Sequence, residues 1–423
     1  MIKGTKKMKL TEGVTLHVIQ SEKFKTILAG VYFKRPILPV EASYNALLSR
    51  IMDHATRSLP SLRDLNNELE YLYGSVIVVD THKYGNNQTI QIKMSFPNAK
   101  YLEEEDFYEK PIKILMDILF DPLVEDGGFK RDIFDQAKSA LISEIEMRKD
   151  DKMDWAISNC IETMFEDENY KIHELGTIEW VKAITPQSLY EHLQFLLREA
   201  EIDIIVNGDI DLEEILPVIQ NWFRLERTSY TPVLRASHKK EIKKVKYHEE
   251  KMDVTQGRLV MGYHFDIAYD DPRYTALFLA STVLGGGGGS KLFTEVREKE
   301  SLCYTIFARS DKFKSIMLIY AGIDPDNYEK AVALIKREVL AVQNGDFTED
   351  DLQKAKEVII SSFLSISDYQ NSFINYYYAQ SQFGLSMDLD KKIESLENAT
   401  KAEVVDASKL LQLDTIAFIN KED

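Results

Sequence analysis

The sequence predicts an α+β protein made of two duplicated halves, each an α/β roll with helices packed on a mostly antiparallel sheet. Three observations carry this. The chain has 423 residues, too many for one small core, and its 44% hydrophobic and 10% aromatic content is that of a globular protein. Runs in which apolar residues alternate with period two are interleaved with runs at the helical period. Two pairs of segments also repeat. FKRDIFDQAKSALISEIEM from Phe129 and FTEDDLQKAKEVIISSFLS from Phe347 lie 218 residues apart. They share the leading Phe, an aspartate (Asp132, Asp350), an AK dipeptide and a serine (Ser143, Ser361). AITPQSLYEHLQFLLREAEIDIIV from Ala183 and ATKAEVVDASKLLQLDTIAFI from Ala399 lie 216 residues apart, each a capped helix and then a β-rich run. Two matches at nearly one offset indicate duplication.

In chain order, VTLHVIQ (14–20) and KTILAGVYF (25–33) read as strands, SYNALLSRIMDHA (43–55) and SLRDLNNELEYLYG (61–74) as helices. SVIVVDTHK (75–83) and QTIQIKMSF (88–96) alternate as antiparallel strands. A helix from Lys110 to Leu119, a long helix through Glu144 and the strand EIDIIVNGD (201–209) complete the first half, 1–223. Residues 224–254 are polar and highly charged, with a basic KKEIKKVK at the middle, and read as a solvated linker. The second half, 255–423, repeats the plan with strands in QGRLVMGYHF (256–265) and SIMLIYAGI (315–323). Between them DDPRYTALFLASTVL and SKLFTEVREKESL read as helices on either side of a glycine run.

A net charge of −17 argues against a nucleic-acid backbone as partner and is compatible with cationic or unstructured peptides. The two cysteines, Cys160 and Cys303, form no CxxC or Cys/His zinc spacing, which fits a reducing compartment. The N-terminal lysines are followed by no apolar run of signal-peptide length, and nothing approaches the ~18 apolar residues of a membrane span. A cytoplasmic protein is expected.

The run itself, Gly285, Gly286, Gly287, Gly288 and Gly289, is followed by Ser290, Lys291 and Leu292. A P-loop needs Lys and then Ser or Thr directly after its last glycine, and both the order and the final hydroxyl are wrong here. G-x-G-x-x-G fails too, because Ser290 falls where its last glycine belongs, and both nucleotide motifs follow a strand rather than a helix. Glycines without side chains let another backbone come very close, at a conformational cost of about 0.5–1 kcal/mol each.

LGGGGGSKLFTEVREKESLCYTIFA resembles the C-terminal-half signature of the insulinase-type zinc metallopeptidases, which include insulysin, pitrilysin and the mitochondrial processing peptidase. NYKIHELGTIEWVKAITPQSLYEHL and NGDID, from Asn207 to Asp211, resemble segments near the end of that family's first half, so the likeness runs along nearly the whole chain. The resemblance implies two α/β rolls joined by a linker, which pair with two more to enclose a chamber. The family's catalytic signature is an inverted zinc motif, HxxEH: two histidines bind zinc, the intervening glutamate polarises water, and a later glutamate is the third ligand.

Counting back from NELEYLYGS, the motif falls on Ala46 to Arg50 or one residue later, so the positions at issue are Ala46, Leu47, Ser49, Arg50 and Ile51. Neither register holds a histidine or the glutamate. No two of His17, His54, His82, His173, His192, His238, His248 and His264 are four residues apart, so no helical two-histidine site exists. Glu144 stands where the resemblance puts the third ligand. No metal is expected in this chain.

The family's other element is an arginine and a tyrosine seven residues apart, which hold substrate carbonyls and the developing oxyanion at a partner's zinc. Arg297 and Tyr304 stand at that spacing in REKESLCY. Lost motif and retained pair together resemble the non-catalytic subunits of heterodimeric bacterial members and of the mitochondrial processing peptidase. The resemblance implies a partner with HxxEH that carries zinc, a peptide or unfolded polypeptide as substrate, and a glycine loop (Gly285 to Ser290) beside the chamber. The alternative is a homodimeric scaffold that binds peptides without cutting them.

Overall fold

Alternating apolar residues fold the start of the chain into β1 (Ile2–Thr11), β2 (Val14–Ser21) and β3 (Thr26–Pro36). The computed structural model describes residues 2–104, 106–233, 240–385 and 388–422, and these divide into two units. In the first, α1 (Pro39–Ser49) opens on a proline, whose fixed φ suits a first helical turn, and ends with Arg50 as its C-cap. The helix expected through residue 55 thus stops early. The chain continues through α2 (Leu62–Tyr71), β4 (Val76–Tyr84), β5 (Asn87–Pro97) and α3 (Glu109–Phe120). A short hairpin of β6 (Val124–Glu125) and β7 (Gly128–Phe129) leads into α4 (Arg131–Met147). After a second helix, α5 (Lys152–Met164), the unit resumes with α6 (Ile178–Ala183) and α7 (Pro186–Glu199). Strand β8 (Glu201–Gly208) and helix α8 (Leu212–Trp222) close it. Thr185 and Ser188 cap α7 reciprocally, satisfying two of its orphan backbone donors.

The second unit runs β9 (Lys246–Met252), β10 (Gly257–His264) and α9 (Tyr274–Gly285), then a π-helical stretch over Phe293–Lys299. It continues with β11 (Cys303–Asp311), β12 (Ile316–Ile323), α10 (Tyr328–Asn344), α11 (Glu349–Ile366) and α12 (Gln370–Ser381). Last come α13 (Leu389–Asn398), α14 (Lys401–Ser408) and β13 (Gln412–Lys421).

The duplication is plain in the sheets. The first unit's sheet has the order β1-β2-β8-β3-β5-β4, the second β11-β12-β10-β13-β9. In each, the last strand inserts between two early ones: β8 lies parallel to β2 and antiparallel to β3, β13 parallel to β9 and antiparallel to β10. All other ladders of these two sheets are antiparallel. Helices bury one face of each sheet, around Leu47, Leu115, Leu193 and Ile204 in the first unit and Leu259, Leu279, Ile335 and Ile416 in the second.

The two units are not contiguous along the chain. The first is Met1–Glu146 with Ile172–Leu234, and the second is Met147–Lys171 with Arg235–Asp423. The division into 1–223 and 255–423 leaves this exchange out. Helix α5, written in the first half, covers the second sheet: Ala156, Cys160 and Met164 pack with Val260, Tyr320 and Ala417. Gly262 on β10 is what lets it lie so close, since a Cβ there would meet Met164 Sδ at 2.9 Å. Polar contacts pin its rim: Trp155 Nε1 and Asn159 Nδ2 each donate to a Glu250 carboxylate oxygen at 2.7 Å.

The 224–254 segment is likewise not all linker, because β9 (Lys246–Met252) pairs within the second sheet. Its residues 234–239, His238 among them, lie outside the described residues. Among the described residues no helix is long and apolar enough to cross a membrane.

Candidate functional site

The end of α9 and the start of β11 hold the glycines, Arg297 and Tyr304. Gly285 closes α9 and Gly286 is its C-cap. The first has a packing reason: a Cβ at Gly285 would lie 2.5 Å from the backbone nitrogen of Ala308 on β11, so helix and strand touch there. Gly287, Gly288 and Gly289 have open space where a side chain would be, and two of them take backbone angles that disfavour other residues, φ +145° at Gly287 and +92° at Gly289. These three, with Gly286 and Ser290, line a shallow groove whose other wall is α11, through Asp351, Lys354 and Val358.

Beyond the groove the chain winds as a π-helix where an α-helix is expected. π-Turns are rare and recur at functional sites. Ser301, at φ +51°, turns the chain into β11, an edge strand of its sheet.

Arg297 lies on this π-helix with its guanidinium carbon 5.1 Å from the centre of the Tyr304 ring and 4.5 Å from that of Phe293. The arginine is thus held between two aromatic faces, a cation–π arrangement that fixes its direction, and among the described residues no hydrogen bond or ion pair engages its five N–H donors. Tyr304 is 77% exposed, and its phenol is presented outward rather than packed. Sequence reasoning named Arg297 and Tyr304 but missed Phe293. Its position four residues before Arg297 on one helical stretch was the available signal. Beside them, burial pushes the Cys303 thiol up to about 11 against the opposing pull of Arg297, so this cysteine is a protonated packing residue at neutral pH.

The positions that the resemblance assigns to the lost motif lie at the end of α1 and just beyond it, in the first unit. Ala46, Leu47 and Ile51 are core residues, and the Ser49 hydroxyl donates back to the Ala46 carbonyl at 2.9 Å. Arg50 turns off the helix end toward α4. There its Nε donates to Glu144 Oε2 at 2.9 Å, its second amino group also bonds Glu144, and its third nitrogen donates to the Ala46 carbonyl at 2.9 Å. Arg50, a position of the lost motif in either register, and Glu144, where the family resemblance puts a third ligand, therefore face each other, joined by a guanidinium. Zinc does not fit such a place. The apolar side chains offer no donor atoms, and the one carboxylate is already neutralised by a fixed cation.

A buried polar chain lies nearby. His192 Nε2 meets Asn45 Oδ1 at 2.7 Å, and Asn45 Nδ2 donates to Gln88 Oε1 at 2.8 Å. Burial, with Arg35 adding to it, pulls the His192 pKa down to about 4, so the ring is neutral at pH 7.

Residues 183–359 match the family model described as Peptidase M16 inactive domain. The probable inactive metalloprotease YmfF of Bacillus subtilis (strain 168) is 31% identical over 408 residues, spanning 96% of each chain. A non-peptidase homolog from Helicobacter pylori is 23% identical over 283 residues, 65% of this chain and 64% of that one. Among solved structures, a conserved protein of Enterococcus faecalis V583 superposes with a TM-score of 0.93 at 27% identity, covering 99% of both chains. A structure described as a peptidase M16 inactive domain, from Pseudomonas fluorescens, shares the fold at TM-score 0.80 and 18% identity, over 99% of this chain and 98% of that one.

The class defined by fold and site is a two-roll metallopeptidase scaffold from which the metal motif has gone. The chain belongs to the M16, or insulinase-type, peptidase family, as a homologue without HxxEH.

Proposed function

We propose that the protein is the non-catalytic subunit of a heterodimeric M16 peptidase. It pairs with a homologue that carries HxxEH and zinc, and it presents Arg297 and Tyr304 to the peptide bound at that partner's metal. The observation that supports this best is the Arg297–Tyr304 arrangement: a guanidinium stacked 5.1 Å from the ring of a highly exposed tyrosine, on a π-helical stretch that leads into an edge strand. A packing role would bury the phenol. Donors aimed outward suit carbonyl and oxyanion oxygens, where a single lost donor costs about 3–4 kcal/mol in the reaction. The open glycines, Gly287 to Gly289, carry no side chain that would keep another backbone away from this lip of the second unit.

The test is reconstitution with an HxxEH-bearing relative from the same host and turnover of an unfolded polypeptide. The pair should cleave while this chain alone does not, and Tyr304→Phe should lower turnover roughly 100-fold. Undiminished turnover by Tyr304→Phe would falsify the role given to the phenol. Recovery of only a homodimer that binds peptides would replace the subunit reading with that of a scaffold.

A further inference from the structure

At the opposite end of β11 from Tyr304, the hairpin into β12 turns at Lys312, and its side chain enters an aromatic cluster. Lys312 Nζ lies 4.7 Å from the centre of the Tyr269 ring, 5.4 Å from Phe313 and 5.8 Å from Tyr376. Lys392 of α13 reaches the same Tyr269 ring, 5.5 Å from its centre, and donates to Thr275 Oγ1 at 3.1 Å. Two ammonium groups therefore share one ring. Among the described residues neither forms an ion pair with a carboxylate, whereas Lys314, two positions on, is paired with Glu168 at 2.6 Å.

This arrangement opposes the charged form of Lys312. Aromatic faces attract a cation, but they replace water poorly, and the second ammonium repels the first. Burial pulls the Lys312 ammonium down to about 8, with Asp311 working against the shift and Lys392 with it; burial lowers Lys392 as well. Lys312 keeps part of its surface exposed at the hairpin turn, while its ammonium lies within the aromatic cluster. An amine held in apolar surroundings beside another cation is the arrangement that activates a lysine as a nucleophile.

We propose that Lys312 is a nucleophilic lysine that captures an aldehyde of aromatic or apolar character as an imine. The Nζ lone pair attacks the carbonyl carbon and forms the C–N bond. The carbonyl oxygen takes a proton, and the carbinolamine then loses its hydroxyl as water as the C=N bond forms. Both N–H protons end in that water, and no oxidant or reductant is consumed. The partly exposed rings of Phe313 and Tyr376 receive the aldehyde's apolar body, over the buried Tyr269. The inference is independent of the subunit reading, since it uses none of Arg297, Tyr304 or the glycines.

The test treats the full chain with benzaldehyde and cyanoborohydride, which fixes imines by reduction, and maps labelled lysines by mass spectrometry. Lys312 should label at least about tenfold faster near neutral pH than exposed lysines such as Lys354 and Lys409. Its rate should level off above pH of about 8 while theirs still climb. In Lys392→Met, removal of the second ammonium should move that levelling to higher pH. Labelling of Lys312 no faster than of Lys354 and Lys409 overturns the proposal. So does a rate that keeps climbing in parallel with theirs, while an unchanged profile in Lys392→Met removes the second ammonium from it.

Discussion

Arg50 places a fixed positive charge at the C-terminal end of α1, against Glu144. The guanidinium also serves the helix end, where carbonyls lack partners and a cation is favoured. Arg50→Ala should therefore cost about 1–2 kcal/mol in urea unfolding, from the lost hydrogen bonds and the lost cation at the terminus. Arg50→His should not create zinc affinity, because one imidazole and one carboxylate do not make a tetrahedral site; equilibrium dialysis against zinc reads this directly. His192 gives a pH prediction. Its folded pKa of about 4 lies below the ordinary value of 6.5, so below pH 6.5 the unfolded chain takes up a proton that the folded chain refuses. Stability should fall as pH drops through that window, by up to about 3 kcal/mol for this residue. His192→Gln should lose most of that slope relative to the parent, as seen by paired urea titrations at several pH values. Equal slopes would mean that the ring is not held neutral.

At the scale of elements, the glycine run divides into two kinds of position. Gly285→Ala drives a Cβ into the Ala308 backbone and should destabilise the second unit by about 2–3 kcal/mol, as overpacked sites do. Gly288→Ala meets open space without a left-handed backbone and should shift the melting midpoint hardly at all. Thermal denaturation of the two variants side by side checks the contrast.

Much of this layer was legible in the chain. The strands that alternate strongly, such as β5 with IQIKM, and the caps at Thr185 and Thr400 announce themselves through local chemistry. Strand β9 did not. It reads KYHEEKM, an edge strand with charged residues throughout, and looks like linker until its partner β13 is known. The π-winding was hidden because it keeps the spacing of an α-helix to within one residue per turn. Arg50 and Glu144 were each identified as degenerate positions, yet their bond is a meeting of two helices 94 residues apart, which no local pattern encodes.

At the scale of the molecule, the exchange of α5 governs how the chain can be divided. Helix α5 was not among the elements expected from the sequence; its buried side carries Ala156, Cys160 and Met164 at helical spacing, and no local pattern tells which sheet receives that side. A cut between α8 and β9 should leave two fragments that stay together on size exclusion, because the first fragment carries a helix belonging to the second unit. A second fragment starting near β9 without α5 should be poorly soluble, with Val260, Leu318, Tyr320 and Ala417 uncovered. Supplying residues 147–171 in trans should restore it, and soluble yield is the measurement.

The same exchange sets an order of events during synthesis. The first unit's sheet is complete once β8 has left the ribosome, and this unit can then fold around Ile204 and Leu193. By that time α5 has already emerged with nothing to cover. It must wait for β10, β12 and finally β13, whose insertion between β9 and β10 closes the second sheet only when the chain has reached residue 421. For that interval Trp155 and its apolar neighbours face water or a chaperone. The nascent chain is therefore most exposed to misassociation in its second half, after its first half is already native.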